Sequence, residues 1–369
     1  MMEKLRRSRV LVFTAGDHIT ASSKYRAFLL GSYLTETRPD IEWKLVEPST
    51  KILSSLGYLT QMCAVFSQAR RLFWRPEHDV VFIQRAIYNK FVFALLILQN
   101  ILRIRPSIFD FDDAIFRHSG FKTRLLCKTS SAVIVGSHFL QEYAQRYSKR
   151  VILVPTCIRF SDYASIPKMG DRSTFTIGWI GNGPASLPEL RFMAEALKEL
   201  NTRTQAFRLL LIGHQGHPEI PGLFEFLPAE RKELIDYVNA KTDADLIPYL
   251  AKMDIGLMPL EESEWNRGKC AFKAIQYMAT GAAVVASPVG ENPVLITHRV
   301  TGMLAPLEAS PLTGLAATKE EWASCIQELM QDPALRQRIT VAARDHVRAH
   351  YSFESQIPKL TEVIDSLIH

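Results

Sequence analysis

The chain has 369 residues, 47% apolar and 22% charged, which excludes a small stapled fold and a chain too polar to collapse, and favours two domains. Five cysteines, Cys63, Cys127, Cys157, Cys270 and Cys325, form no C-x-x-C pair and no even set, so a reducing cytoplasm is the expected setting. The net charge of +6 conceals an imbalance: residues 1–150 carry 23 Lys and Arg against 12 Asp and Glu, a cationic half suited to nucleic acid, an anionic leaflet or a phosphorylated substrate.

The opening MMEKLRRSRV leads into LVF without the long apolar stretch and cleavage site of a secretory signal. RVLVFTAGD reads as a buried strand and SSKYRAFLLGSYL as the helix after it. Further strands are predicted at IEWKLVEP, DVVFIQR, PSIFDFDD, AVIVGS and RVILVP, separated mostly by helical patterns. Short apolar strands alternating with amphipathic helices predict a parallel sheet covered on both faces. The longest apolar run, 91–98, is interrupted by Gln99 and Asn100 and falls short of the roughly 20 residues that span a bilayer, so only peripheral membrane contact is expected.

Residues 159–174 are polar, with Pro167 and Gly170, and read as a linker between a first domain, 1–158, and a second, 175–350. The second restarts the same alternation: FTIGWIG, PELRFMAEALKEL, FRLLLIG, DADLIPYLAKM, DIGLMPL, AFKAIQYMATG and AAVVASP. The predicted class is α/β with two Rossmann-like, doubly wound parallel sheets. No repeat or low-complexity segment competes with it. Residues 351–369 read as a terminal helix.

The most informative stretch runs from Asp254 to Gly302. A strand ends near Pro259, a polar loop carries Trp265, Arg267, Gly268 and Lys269, and a helix begins near Ala271. A loop feeding a helix N-terminus binds anions through unpaired N–H groups and the helix dipole, and such loops lie at the carboxyl ends of strands, where open α/β sheets take ligands. Arg267, Lys269 and Lys273 would reinforce a diphosphate site there, with Cys270, Ala271 and Phe272 in the loop. The glycines at 178, 181 and 183 miss the dinucleotide spacing, so a nicotinamide cofactor is not expected; that turn, with Gly181, Asn182 and Gly183, is expected to approach phosphate through N–H groups.

In order and spacing these pieces resemble glycosyltransferase family 4, enzymes of the GT-B fold. GWIGNG at 178–183, LLLIG at 209–213, DADLIPYLAKMDIGLMP and QYMATGAAVVASPVGEN at 276–292 are similar to its donor half; SSKYR at 22–26 and DFDDAIF at 110–116 are similar to a subgroup pattern on the acceptor side. The resemblance implies two domains facing across a cleft, a nucleotide-diphosphate sugar as donor, transfer of a hexose-type sugar with retention to a glycan or lipid-linked acceptor, and no required metal or other cofactor. It also implies that the terminal helix returns to the first domain. The family's two glutamates flanking the phosphate helix fall at Gly268 and Gln276, leaving the Gln276 carbonyl for the donor ribose. A nucleotide-sugar epimerase or hydrolase, and a non-catalytic sugar-nucleotide or glycan binder, are the rival readings.

On the acceptor side Ser23, Tyr25, Arg26, Gln84 and Arg85 are expected to line a pocket, with Arg26 holding an acceptor phosphate, and Asp112 or Asp113 to orient an acceptor or sugar hydroxyl or else to cap a helix. Gly16 is expected to allow close approach of a ligand or to serve a plain turn, and His214 to lie near base or ribose. A D-x-D cation site at Asp110 and Asp112 belongs to another transferase fold, and ten histidines offer no metal-binding spacing. In QARRLFWRPE the cations Arg70, Arg71 and Arg75 interleave with Phe73 and Trp74, a pattern for an anionic membrane surface or for a helix end docking its aromatics in the core. No nucleic-acid module is present.

Overall fold

A computed structural model describes residues 7–18, 20–46, 63, 65–74, 78–85, 87, 89–167, 175–235, 243–305 and 318–368. The chain forms two compact units, one of residues 1–157 with 356–369, the other of residues 158–355.

The first unit is built on six parallel strands: β1 (Ser8–Thr14), β2 (Ile41–Val46), β3 (Val80–Gln84), β4 (Ser107–Phe111), β5 (Ala132–Val135) and β6 (Val151–Leu153), in the order β2-β1-β3-β4-β5-β6. VVFIQ, SIFDF and AVIV are buried along their whole length, as strands covered on both faces must be. The order reverses between β1 and β3, whose register pairs Val10 with Val80 and Phe13 with Ile83. Right-handed crossovers place the helical run 21–37 on one face and the helices 65–74, Lys90–Ile101, Phe116–Thr129 and His138–Gln145 on the other. On the opposite side of the chain's sequence, Arg38 donates to Asp365 at 3.2 Å, fixing the terminal helix within this unit.

The second unit repeats the plan with β7 (Phe175–Ile180), β8 (Phe207–Ile212), β9 (Lys232–Ile235), β10 (Ile255–Met258), β11 (Ala283–Ala286) and β12 (Met303–Leu304), in the order β12-β11-β10-β7-β8-β9. Alternate strand residues feed two cores. Ile177, Trp179, Leu209 and Leu211 join Trp322 and Leu197 in one; Ile180, Leu210 and Ile212 join Ile275 and Val347 in the other. This is the two-residue period of a strand with both faces packed. The expected linker is partly structured: Phe160–Ala164 is a helix, and the burial of Tyr163 in the second core holds this short polar segment in place.

Candidate active site

The second sheet reverses its order between β7 and β10, where open sheets leave a crevice at the carboxyl ends of their strands. Gly178 and Gly256 are paired across that seam. A Cβ on Gly256 would collide with the Tyr277 ring, so the glycine lets the helix Phe272–Ala279 settle close against the sheet. The Tyr277 hydroxyl accepts from the Ile180 N–H at 2.9 Å and donates to the Leu257 carbonyl at 3.4 Å, fastening both strands. Burial pushes that phenol well above its ordinary range.

Lys273 stands four residues before Tyr277, on the same helix face. Its ammonium lies 4.4 Å from the centre of the Trp179 ring, and a Cβ on Gly181 would come within 2.5 Å of it. Burial, then the neighbouring Lys269, depress its pKa to about 7, while Glu189 works in the other direction. Glu189 is itself buried in the first turn of the helix Leu187–Arg203. Lys273 thus sits at the end of β7 with Lys269 near enough to disfavour its charge.

The loop before that helix is braced from below. Ala271 takes a left-handed conformation (φ 54°) as the helix N-cap and offers no capping side chain. Gly290, at φ 62°, lies so near the loop that a Cβ would come 2.6 Å from the Asn266 carbonyl and 2.9 Å from that of Lys269, and the Glu291 N–H donates to the Lys269 carbonyl at 3.1 Å. Gly268 and Cys270 are buried in this loop, and Phe272 packs on the core behind it.

Several expected donor contacts are engaged elsewhere. The Arg267 guanidinium pairs with Glu262 at 2.5 Å on the surface. Gln276 is buried and its Nε2 donates to the Tyr163 hydroxyl at 2.9 Å, tying it to the 160–164 helix through the amide nitrogen and not through the carbonyl oxygen expected at the ribose. The N–H groups of Gly181 and Gly183 donate to Ile212 and Gly213 carbonyls at 3.0 and 2.8 Å; these glycines serve by lacking side chains, against Lys273 and Ile220 respectively. The exposed Asn182 accepts from the Ala185 N–H at 3.1 Å, and His214 Nδ1 from the Gly216 N–H at 3.0 Å, at the ends of β7 and β8.

In the first unit a connected polar network occupies the carboxyl ends of β1, β3 and β4. The Gly16 N–H donates to Ser23 Oγ at 3.1 Å, Ser23 to Gln84 Oε1 at 3.0 Å, Gln84 Nε2 to Ser22 Oγ at 2.7 Å, and Ser22 to Asp112 Oδ1 at 2.5 Å. Every donor in this series points toward Asp112, so each bond polarises the next in favour of the carboxylate. Arg85, at φ 62°, turns its guanidinium onto Asp113 and lies 3.4 Å from Asp112. Gly16 is a turn glycine: a Cβ there would meet the Thr20 side chain.

Arg26, expected to hold an acceptor phosphate, is instead engaged by protein groups. It sits in a π turn, Lys24–Phe28, and is 4% exposed. It grips Asp110 through Nε at 2.8 Å and through its terminal nitrogens, and donates to the Val154 carbonyl at 3.0 Å. Asp110, 1% exposed, is thereby committed to Arg26 and does not join Asp112 in a cation site. Burial raises its pKa, and the Arg26 guanidinium opposes that shift. Tyr25 is buried, with the Lys24 ammonium 5.4 Å from its ring centre. Neither Asp112 nor Asp113 caps the following helix, whose N-cap is Ile115 without a side-chain bond. Among the described residues no cluster of three or more His, Cys, Asp or Glu is arranged for a metal.

Ser22, Asp110, Trp179, Glu189, Tyr277 and Gly290 belong to these sites but were not among the residues expected there. Glu189 in a first helical turn reads as a helix-dipole residue, and Tyr277 as helix core; no local pattern separates those roles from the ones found.

Residues 174–332 match the family model described as glycosyl transferases group 1. The chain is similar to the structure of sucrose-phosphate synthase (tll1590) from Thermosynechococcus elongatus, at 14% identity and a TM-score of 0.72 over 98% of this chain and 99% of that one. It is similar also to Anabaena Alr3699/HepE in complex with UDP and glucose, at 15% identity and a TM-score of 0.68 over 98% and 100%. A glycosyltransferase from Rickettsia africae ESF-5 aligns at 14% identity and a TM-score of 0.67 over 98% and 99%. No curated protein matches the chain. The two doubly wound parallel sheets are therefore those of the GT-B fold, with a group 1 glycosyl transferase match centred on the unit that holds Lys273.

Proposed function

We propose that the protein is a nucleotide-sugar-dependent glycosyltransferase that moves a hexose-type sugar to a hydroxyl of a glycan or lipid-linked acceptor, with retention at the anomeric carbon and without a required metal. One observation carries the reading: within the region matching group 1 glycosyl transferases, the Lys273 ammonium is enclosed at the end of β7 beside a second lysine. A half-buried ammonium beside a like charge favours an anion, and the diphosphate of a sugar nucleotide supplies one.

As the glycosidic bond breaks, negative charge accumulates on the departing diphosphate. Lys273 and Lys269, with the N–H groups at the start of the Phe272–Ala279 helix, act on that charge, and because they are fixed in advance they reorganise little during the reaction. Tyr277 and Gly256 position Lys273 by fixing the helix. In the first unit the carboxylates of Asp112 and Asp113, neutralised in part by Arg85, orient hydroxyl groups; an acceptor delivered in the right pose gains most of its rate from orientation.

Purified protein incubated with UDP-, GDP- and ADP-sugars tests the assignment. A transferase consumes donor only when an acceptor is added, a hydrolase or epimerase consumes it without one, and a binder leaves it intact. Proton NMR of the product reports retention, and an excess of EDTA should leave the rate unchanged.

A further inference from the structure

We propose that the helical layer of the first unit carrying Lys90–Ile101 is a docking surface for an anionic lipid bilayer. Ten large apolar side chains are exposed among the described residues, and seven of them fall between positions 66 and 121. Four lie along one helix and its end: Phe91, Leu98, Ile101 and Leu102. At 100° per residue Phe91, Leu98 and Leu102 fall within about 40° of one another, with Ile101 beside them. Val92, Phe93, Leu96 and Ile97 face the other way and are buried. The helix therefore carries large apolar side chains on its exposed side as well as its buried one, a pattern that water alone does not explain at the surface of a folded unit.

The flanking elements share this character. The crossover rule puts the π turn Arg70–Trp74 and the helix Phe116–Thr129 on the same face of the sheet, and both contact Lys90–Ile101. The first presents Trp74, 75% exposed, and follows an exposed Phe66; the second presents Phe121. Trp74 thus does not dock in the core, whereas Phe73 is half-buried; Arg75 lies outside the described residues.

Charge selects the occupant. Arg70, Arg71, Lys90, Arg103, Arg124 and Lys128 are exposed on or beside these elements, while three of the acidic residues between 65 and 128, Asp110, Asp112 and Asp113, are engaged by Arg26 and Arg85. Arg70 and Arg71 also line a cavity of about 310 Å³ with Arg9, Lys44 and Glu42. Apolar side chains ringed by cations match an acyl boundary beneath anionic headgroups. A second copy of the chain would bring cations against cations. No helix among the described residues is long and apolar enough to cross a membrane, so the contact proposed is with the surface.

Flotation of the full chain with vesicles of phosphatidylcholine, alone or mixed with phosphatidylglycerol, tests this without donor or acceptor, so its outcome is separate from that of the transferase reading. The expected result is binding to the mixed vesicles that weakens with salt. Leu98→Glu with Ile101→Glu should lower partitioning by at least about tenfold, and Arg70→Glu with Arg71→Glu by a similar factor. Both pairs are exposed, so melting temperatures should stay near that of the parent; Leu98→Ser with Ile101→Ser replaces the first pair if its melting falls. Failure of the parent chain to float overturns the proposal, as does flotation of all variants alike. A dimer in sedimentation velocity that is lost in the Leu98 and Ile101 variants, without vesicle binding, overturns it in favour of self-association.

Discussion

Binding of a sugar nucleotide should draw a proton onto Lys273. With its pKa at about 7 in the free protein, the lysine is roughly one-tenth protonated at pH 8. A diphosphate oxygen about 4 Å from the ammonium, at an effective dielectric near 20, contributes about 4 kcal/mol, or about three pKa units. Lys273 in the complex is then protonated across the neutral range. Both phosphates of a sugar nucleotide are diesters and do not titrate there, so the uptake belongs to the protein. Isothermal titration calorimetry in buffers of different ionisation enthalpy should give about 0.9 proton taken up at pH 8 and about 0.1 at pH 6, and affinity should fall up to about tenfold per pH unit above 7. Lys273→Met should abolish the difference. The same group destabilises the free fold: between pH about 7 and its unfolded value the unfolded chain binds the proton and the folded chain does not, so stability rises with pH in that window and is flatter in Lys273→Met. Equal uptake at both pH values, or in Lys273→Met, would refute the placement of the diphosphate at this lysine.

Other substitutions probe how the site is held. Gly181→Ala puts a methyl group 2.5 Å from the ammonium and 2.7 Å from the buried Trp179 ring, and should lower kcat by about a hundredfold, as for loss of one transition-state contact, and cost about 1–3 kcal/mol of stability in urea denaturation. Gly290→Ala forces a left-handed alanine against the carbonyls of Asn266 and Lys269; donor KM should rise more than about tenfold, with about 1–2 kcal/mol lost from the fold. Tyr277→Phe leaves the Ile180 N–H without its partner and should cost about 1–3 kcal/mol in urea denaturation. Asp110→Asn strands the buried Arg26 and should cost about 3–5 kcal/mol, whereas Arg26→Met with Asp110→Leu should recover most of that loss, which urea denaturation of both chains would check.

The sheet framework is legible in the sequence because parallel strands covered on both faces require unbroken apolar runs, and VVFIQ and AVIV are read without reference to distant partners. The place of Lys273 at the start of a helix is legible because the loop before it and the apolar run after it mark the helix start, where unpaired N–H groups favour an anion. The pairing of Arg26 is not legible in the same way. Its carboxylate lies 84 positions away on β4, and the pairing depends on strand order and not on local pattern. The bond from Gln276 to Tyr163 is not legible for a similar reason, since Tyr163 lies in a segment whose composition reads as linker. Ser23, Gln84, Arg85, Asp112 and Asp113 are brought together because each leaves or follows the carboxyl end of a strand next to the β1–β3 reversal.

The two units treat enclosed charge in opposite ways, and the contrast supports the proposed anion site in the second. In the first, Arg26 is matched by Asp110, and Arg85 by Asp112 and Asp113; the network is closed on itself, so removing a member destabilises the fold but adding an anion gains little. In the second, Lys273 lies beside Lys269, and Glu189 only partly offsets its burial. A fold that keeps an under-compensated, half-buried ammonium does so at a cost in stability. Such a cost persists where a ligand relieves it, and proton uptake that accompanies ligand binding is the direct measure of that relief.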